Sequence, residues 1–464
     1  MLQYKYLNHR FFYNFMDKEE LEQKVDEILE RGMLAEFLPT KEEFRKKLLN
    51  GEKLKFYMGF DATAKSLHLG HAQGLMILED FRKLGHEVIF LIGDFTGMIG
   101  DPSDKSSARV RQTPEGVAEN IANWKEQVKN IASFDDSENP FQIKHNSEWL
   151  GKLNFAEVLE LASNFTVQQM LERDMFEKRL YGESDVCKKC GKKFILKPRD
   201  SEGYLKRDNW ECPYCGFAPK SEDGFRYSDG HPIYLHEFMY PLMQGYDSVA
   251  MDVDVELCGT DQIFNALAGR TLMQKLKNKD KMVIATKLIA DEKTGTLMSK
   301  SNGTGVFLNL DANNLYGAIM SQSDGMIKPL AIGCTRISLN EIEEMMKMEN
   351  PRDAKMKLAW EIVKIYHGEE TADKAQEYFV NTFSKKELPE DIADLKTNEE
   401  ENLIDFIVRV GFANSKSDAR RKIEQGGVSI DGEKIPVEEL ILTKDKFNGK
   451  ILKVGKINFV KIVF

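Results

Sequence analysis

At 464 residues the chain is too long for one ordinary core, and at about 100–200 residues per domain it holds two to four domains. With 42% apolar and 30% charged residues it has the balance of a soluble globular protein, which excludes wholesale disorder, and no apolar run approaches the roughly 20 residues that span a bilayer. A net charge of −10 argues against a protein that coats nucleic acid, DNA included, without regard to sequence, but it permits a local basic surface.

The first residues, "MLQYKYLNHRFFYNF", have no continuous apolar core and no small-residue cleavage site, so they do not read as a secretory signal; translation starting at Met16 is an alternative to Met1. Six cysteines in a long chain without an export signal point to a reducing, cytoplasmic setting. Amphipathic patterns over 17–31 and 41–49 make residues 1–50 an N-terminal helical segment. "LKFYMGF" at 54–60 then reads as a buried strand, "LGHAQGLMILEDFRKLG" at 69–85 as a helix ended by Gly85, and "EVIFLIGDF" as a second strand. This βαβ unit predicts a parallel sheet whose binding crevice lies at the strand C-terminal ends.

Helical patterns at 114–133, 155–180, 234–246 and 260–277 alternate with short apolar runs such as "MVIATKLI" at 282–289, which carries an α/β catalytic-type domain over 51–310. From 311 to 384 the pattern is wholly helical; 385–401 is polar, contains Pro389 and reads as a linker. From Asn402 to Phe464 the charge is +4, against −14 for the rest, the asymmetry of a nucleic-acid-binding appendage. No internal repeat is visible.

"SLHLGHAQG" at 66–74 sets His68 and His71 three positions apart at a helix start inside the predicted crevice. The pair could be half a metal site, a satisfied structural pair or a grip for an anion. The metal reading needs further ligands and the i, i+4 spacing with an intervening Glu, neither of which is present. A helix N-terminus already favours anions, two imidazoles add donors for phosphate oxygens, and Gly70 lets a ligand approach the backbone. A second polar, Gly-rich loop, "DEKTGTLMSKSNGTG" at 291–305, carries Lys300 as a point charge between serines.

Together "HLGH" and "LMSKS" resemble the paired signature of class I aminoacyl-tRNA synthetases. "YMGFDATAKSLHLGH", "GDFTGMIGDPSDKS", "YPLMQGYD", "GTDQ" and the tail "ANSKSDARRKIEQGGVSIDGEKI" extend the resemblance over nearly the whole chain to tyrosyl-tRNA synthetases of the bacterial kind. The resemblance implies a Rossmann-like parallel-sheet domain, a helical anticodon-binding domain and a C-terminal domain similar to the ribosomal-protein S-four-like RNA-binding fold. It implies a ligase that joins tyrosine to ATP as the adenylate, with Mg²⁺, and passes tyrosine to the 3′ end of tRNA(Tyr), and a homodimer. Its catalytic donors would be His68, His71, Thr63 and Lys300. Tyr57 and Asp247 would read the phenol hydroxyl, Tyr240, Gln244 and Asp101 would hold the α-amino group, and Gln262 would line the pocket. Asp61 and Asp261 would lie near the amino acid and the ribose, with Gly70, Gly259, Met298 and Ser299 beside ATP. One departure is Leu297, which stands where the family's loop motif opens with Lys.

"CKKCG" at 187–191 and "CPYCG" at 212–216 place Cys187, Cys190, Cys212 and Cys215 at the spacing of a four-thiolate zinc site, with iron the alternative. This block, 182–228, interrupts the family's usual course, and a stretch so short needs a metal staple. Cys258 and Cys334 are isolated and read as packing residues. In the tail, Lys416, Arg420 and Arg421 lie on or beside one helical surface, which suits contact with structured RNA through shape and phosphates. Two rival readings are tryptophanyl specificity on the same fold and a non-catalytic RNA-binding paralogue.

Overall fold

The main sheet is built from paired strands separated by up to about 250 residues. In chain order the strands of this unit are β1 (Leu34–Leu38), β2 (Lys55–Asp61), β3 (Glu87–Gly93) and β4 (Gln142–His145), a short hairpin of β5 (Asp185–Val186) and β6 (Lys193–Phe194), then β7 (Val255–Gly259) and β8 (Met282–Thr286). The computed structural model describes residues 17–101, 112–171, 173, 176, 185–186, 189–190, 193–194, 214–215, 233–299, 303–384, 392, 394–397, 401–413, 415–435, 441–455 and 458–464. Contacts divide the chain into two units, Met1–Asn309 with Gly325–Lys347 and Leu310–Asp324 with Met348–Phe464.

In the first unit the spatial order is β1-β8-β7-β2-β3-β4. β2 pairs in parallel with both β3 and β7, β7 with β8, and β3 with β4; β1 alone runs antiparallel, against β8. The β2–helix–β3 and β7–helix–β8 units leave the β2/β7 boundary in opposite directions. A crevice therefore opens beyond the C-terminal ends of β2 and β7, as the switch-point rule requires. Leu34–Leu38, within the stretch read as helical, is a strand: its short apolar run caps the free edge of β8 and so removes an unpaired backbone row.

Eleven residues of helix Leu69–Lys83 are buried, because the helix packs on β2 and β3 and is also covered by helix Ile327–Cys334. Phe81 stacks on Phe56 of β2 at 4.5 Å, and Phe44 meets both edge-on at 5.7 and 6.0 Å. Aromatic pairs of this kind contribute about 0.5–1.5 kcal/mol each beyond burial. The stretch 155–180, read as one helical pattern, is described as Phe155–Ala162 and Val167–Leu171, and 114–133 as Pro114–Ile121 and Trp124–Val128. In the former, Asn164 turns its side-chain amide back onto the Glu160 and Leu161 carbonyls and ends the first helix.

In the second unit helices Ala312–Met320, Pro351–His367 and Glu369–Ser384 pack around Tyr316, whose hydroxyl donates to the Met356 carbonyl and Gln376 Oε1, each at 3.2 Å. The C-terminal segment forms a five-stranded sheet in the order Glu433–Lys434, Val428–Ile430, Ile451–Val454, Asn458–Val463, Asp394–Lys396. Helices Leu403–Arg409 and Lys416–Glu424 close its core through Phe406, Ile407, Ala419 and Ile423 against Val428, Leu452, Val460 and Ile462. Among the described residues no helix is long and apolar enough to cross a membrane.

Candidate active site

The crevice begins where β2 ends. Asp61 closes the strand, and the loop 62–67 that follows is tied down by side chains of the two helices after residue 113: Asn120 donates to the Ala62 carbonyl at 2.8 Å, Trp124 to that of Ala64 at 3.1 Å and Gln127 to that of Lys65 at 2.9 Å. Thr63 sits in this loop, its N–H donating to the Asp61 carbonyl at 2.7 Å. The helix then starts at His68.

His68 Nδ1 accepts from the Gly70 N–H and His71 Nδ1 from the His68 N–H, each at 3.1 Å, so the two imidazoles cap the helix reciprocally with ring centroids 3.8 Å apart. A side chain on Gly70 would meet the His68 ring at 2.8 Å, so only glycine fits. Burial holds both rings neutral: His68 is lowered to about 4, and His71, which also feels His68, is well below the usual imidazole range. A neutral imidazole that accepts at Nδ1 carries its proton on Nε2. The pair is therefore two N–H donors at a helix N-terminus, not two cations.

Residues 306–308 are zipped to the same spot. Leu69 N–H donates to the Val306 carbonyl at 3.0 Å and Leu308 N–H to that of Leu67 at 2.9 Å. The Gly-rich loop is thus anchored beside the histidines, and Thr304 clasps its base through the Leu297 carbonyl and the Ser299 N–H at 2.8 and 3.1 Å. Leu297, 39% exposed, pairs with Ala290 as an isolated bridge, Met298 is buried and Ser299 half-buried. Lys300 lies outside the described residues.

Deeper in the crevice the side chains form two polar networks. Asp61 accepts from the Tyr240 hydroxyl at 2.8 Å and from Thr96 Oγ1 at 2.7 Å. Asp101 accepts from Gln262 Nε2 at 2.6 Å and from Arg173 Nη2 at 3.0 Å. Asn265 donates to both Gln262 Oε1 at 2.8 Å and Gln244 Oε1 at 2.9 Å. Asp247, buried in helix Leu235–Met251, accepts from Trp149 Nε1 at 2.7 Å and Asn146 Nδ2 at 3.3 Å, while burial first and foremost pushes its carboxyl well above the usual range. Tyr57 is 1% exposed, and burial, with Glu256 and Asp247 nearby, raises its phenol well above 10. Its hydroxyl lies 2.9 Å from Ser248 Oγ. Gly259 is buried at the end of β7 and Asp261 exposed just beyond it.

The chain thus brings Tyr57, Asp61, Asp101, Tyr240, Gln244, Asp247 and Gln262 into one region. Sequence reasoning missed Arg173, Trp149, Asn146 and Thr96. Arg173 is 4% exposed, lies over the Phe176 and Phe264 rings and, among the described residues, leaves Nη1 without a hydrogen-bond partner. In "LERDMFEKRL" it looks like one charge of a solvated face. Asn146 was the more legible, since it directly follows a strand and so stands at the crevice rim.

Cys190 falls in a turn between β5 and β6, whose register pairs Asp185 with Phe194 and Val186 with Lys193; Cys215 lies in a second turn with Tyr214. Cys187 and Cys212 lie outside the described residues. Among the described residues no three potential metal ligands converge. Cys258 and Cys334 are buried, and desolvation raises both thiols far above the reactive range. Lys416 pairs with Asp405 at 2.6 Å and Arg421 with Asp418 at 2.7 Å, both cations more than 60% exposed, and Arg420 is exposed on the same helix.

A parallel sheet with its crevice at the switch point, a donor pair at the following helix and a Gly-rich loop beside it define the class I aminoacyl-tRNA synthetase architecture. The model for tRNA synthetases class I (W and Y) matches residues 49–187 and 220–384, and the SYY-like C-terminal domain of tyrosine–tRNA ligases matches 384–462. The tyrosine–tRNA ligase of Thermotoga maritima is 38% identical over 440 residues, 94% of this chain and 96% of that protein; that of Carboxydothermus hydrogenoformans is 37% identical over 97% and 100%. The chain belongs to the tyrosine–tRNA ligase family. Solved structures share the fold: a C-terminally truncated mitochondrial tyrosyl-tRNA synthetase from Coccidioides posadasii superposes with a TM-score of 0.57 at 21% identity over 81% of this chain and 98% of that one. An Archaeoglobus fulgidus tyrosyl-tRNA synthetase complexed with L-tyrosine gives 0.52 at 19%, over 77% and 99%. The family match breaks off between 187 and 220, the stretch that holds Cys190, Cys212 and Cys215.

Proposed function

We propose that the chain activates tyrosine with MgATP and transfers it to the 3′ end of its tRNA. The tyrosine carboxylate attacks the α-phosphorus, pyrophosphate leaves, and no side chain need act as nucleophile. Catalysis is then positioning plus stabilisation of charge that develops on phosphate oxygens. The observation that carries this reading is the reciprocally capped His68–His71 pair, whose Nδ1 atoms accept backbone N–H groups and so leave Nε2–H donors at a helix N-terminus. Phosphate takes those donors together with Thr63, Gly70 and Lys300. Asp101, Tyr240 and Gln244 suit the substrate's ammonium, with Asp61 beside them and Gln262 lining the pocket, and Arg173 sets the position of the Asp101 carboxylate. Gly259, Asp261, Met298 and Ser299 line the side for adenosine.

Tyrosine is selected because Tyr57 and Asp247 are buried polar groups that a phenol hydroxyl satisfies and a phenyl ring leaves unpaired. Strong rejection of phenylalanine by such a site is established for tyrosyl enzymes in general. Tyrosine-dependent exchange of pyrophosphate into ATP by the purified chain tests the assignment.

The insertion at 182–228 fits a structural zinc knuckle. A hairpin with Cys190 at its turn, and four thiolates as the donor set, suit tetrahedral zinc. Cys187, Cys190, Cys212 and Cys215 would hold the ion, which would staple the segment and take no part in the chemistry. About one zinc per chain is expected by elemental analysis of reduced protein, for a four-cysteine site; a metal-free preparation would remove the staple. Lys416, Arg420 and Arg421 offer exposed cations that weak surface pairs leave available to RNA phosphates. Phe155, Leu159, Val167 and Leu235 are exposed apolar side chains that a homodimer would cover.

A further inference from the structure

Beneath the pocket that the proposed function assigns to the tyrosine ring lies a charged pair that this function does not use. Lys281, at the start of β8, is fully buried, and so is its ion-pair partner Glu256 on β7, at 2% exposure. A buried pair is weak evidence for stability, because desolvation consumes most of the attraction. Its hydrogen-bond partners point to another role. Lys281 Nζ donates to Ser248 Oγ at 2.9 Å, and that oxygen is 2.9 Å from the Tyr57 hydroxyl. Glu256 accepts from Gln244 Nε2 at 3.0 Å, while Asn265 donates to Gln244 Oε1 at 2.9 Å, so the amide of Gln244 has one orientation.

Proton counting fixes the direction of the chain. An ammonium only donates, so Ser248 Oγ accepts from Lys281. Ser248 has one proton of its own, and two acceptors within reach: the Tyr57 oxygen at 2.9 Å and Glu256 Oε2 at 3.5 Å. Glu256 is already supplied by Lys281 and Gln244, and the shorter, better contact is to Tyr57. Tyr57, receiving from Ser248, then turns its own O–H away from Ser248; Glu256, which that hydroxyl also reaches, already accepts from Lys281 and Gln244, which leaves the substrate oxygen as the unsupplied acceptor.

We infer that Lys281 and Ser248 are positioning residues that orient the Tyr57 hydroxyl as a donor toward the substrate's phenol oxygen, leaving the substrate's own proton to Asp247. The relay runs Lys281, Ser248, Tyr57, substrate, Asp247, with each group donating to the next. Asp247 is the natural terminus: burial raises its carboxyl, but Trp149 and Asn146 donate to its two oxygens and oppose that, and the substrate hydroxyl as a third donor favours the ionised form further. Reversed, the relay would present a Tyr57 lone pair and an Asp247 acceptor to a hydroxyl with a single proton. One of the two would go unsatisfied. The inference rests on Tyr57 and Asp247 being the phenol site, and its test separates the two claims.

The test is a double-mutant cycle on Tyr57→Phe and Ser248→Ala, read as the ratio of kcat/KM for tyrosine to that for phenylalanine in pyrophosphate exchange. A merely structural loss lowers both substrates together and leaves the ratio alone. Tyr57→Phe is expected to lower the ratio at least tenfold and Ser248→Ala roughly tenfold, chiefly through KM for tyrosine, on the scale of one buried hydrogen bond. The double variant should fall no lower than Tyr57→Phe alone, because Ser248 acts through Tyr57. If Ser248→Ala keeps the full ratio, or if the two effects simply multiply, the relay is wrong and the phenol site stands. If Tyr57→Phe itself leaves the ratio intact, the phenol site and the relay fall together.

Discussion

His71→Ala is expected to slow tyrosyl-adenylate formation about 10²–10³-fold, the scale on which a preorganised donor to developing charge acts, with little change in tyrosine affinity. The reason is the fixed tautomer: Nδ1 is engaged by the His68 N–H, so Nε2–H is the group left for phosphate. Stopped-flow measurement of adenylate formation against tyrosine concentration separates the two constants. The pH dependence distinguishes a neutral donor from a cation. With both rings held below 6.5, their donors are unchanged from pH 5.5 to 8, so the wild-type rate should not fall as pH rises through 6.5. Imidazolium ions gripping phosphate would give that fall. Stability has the opposite sensitivity. A lowered folded-state pKa contributes stability that is complete above 6.5 and is lost as pH drops toward about 4, for His68 and equally for buried His86.

Lys281→Met is expected to destabilise the first unit by about 3–5 kcal/mol, because it leaves Glu256 as an uncompensated buried charge. Urea unfolding at pH 7 is the measurement. A loss below about 1 kcal/mol at pH 7, the range of exposed pairs, would mean that water or a rearranged partner reaches Glu256. The exposed pair Lys24–Glu20 supplies the contrast, and its disruption should not be measurable.

The parts of the molecule legible in the sequence are those encoded locally. The βαβ unit shows in runs of strand and helix period, and the His pair shows at a helix start because capping is a matter of three residues. The floor of the pocket was not legible. Lys281, Glu256, Ser248 and Tyr57 come from three strands and a helix and meet only through the parallel order β8-β7-β2. A lysine beside "MVIATKLI" looks like a solvated strand end until the sheet places it over Gly269, where a side chain would collide with the ammonium. Arg173 was hidden in the same way, as one charge among several. The edge strand Leu34–Leu38 escaped because five residues between two helices carry too little alternation to distinguish strand from turn.

The most direct test of the account is amino-acid-dependent exchange of pyrophosphate into ATP by the full chain. Tyrosine should support rapid exchange at low concentration, phenylalanine only weakly and tryptophan not at all, since Tyr57 and Asp247 need a phenol hydroxyl between them. Exchange that depends on tryptophan but not tyrosine, or no exchange with any amino acid from folded protein, would contradict it.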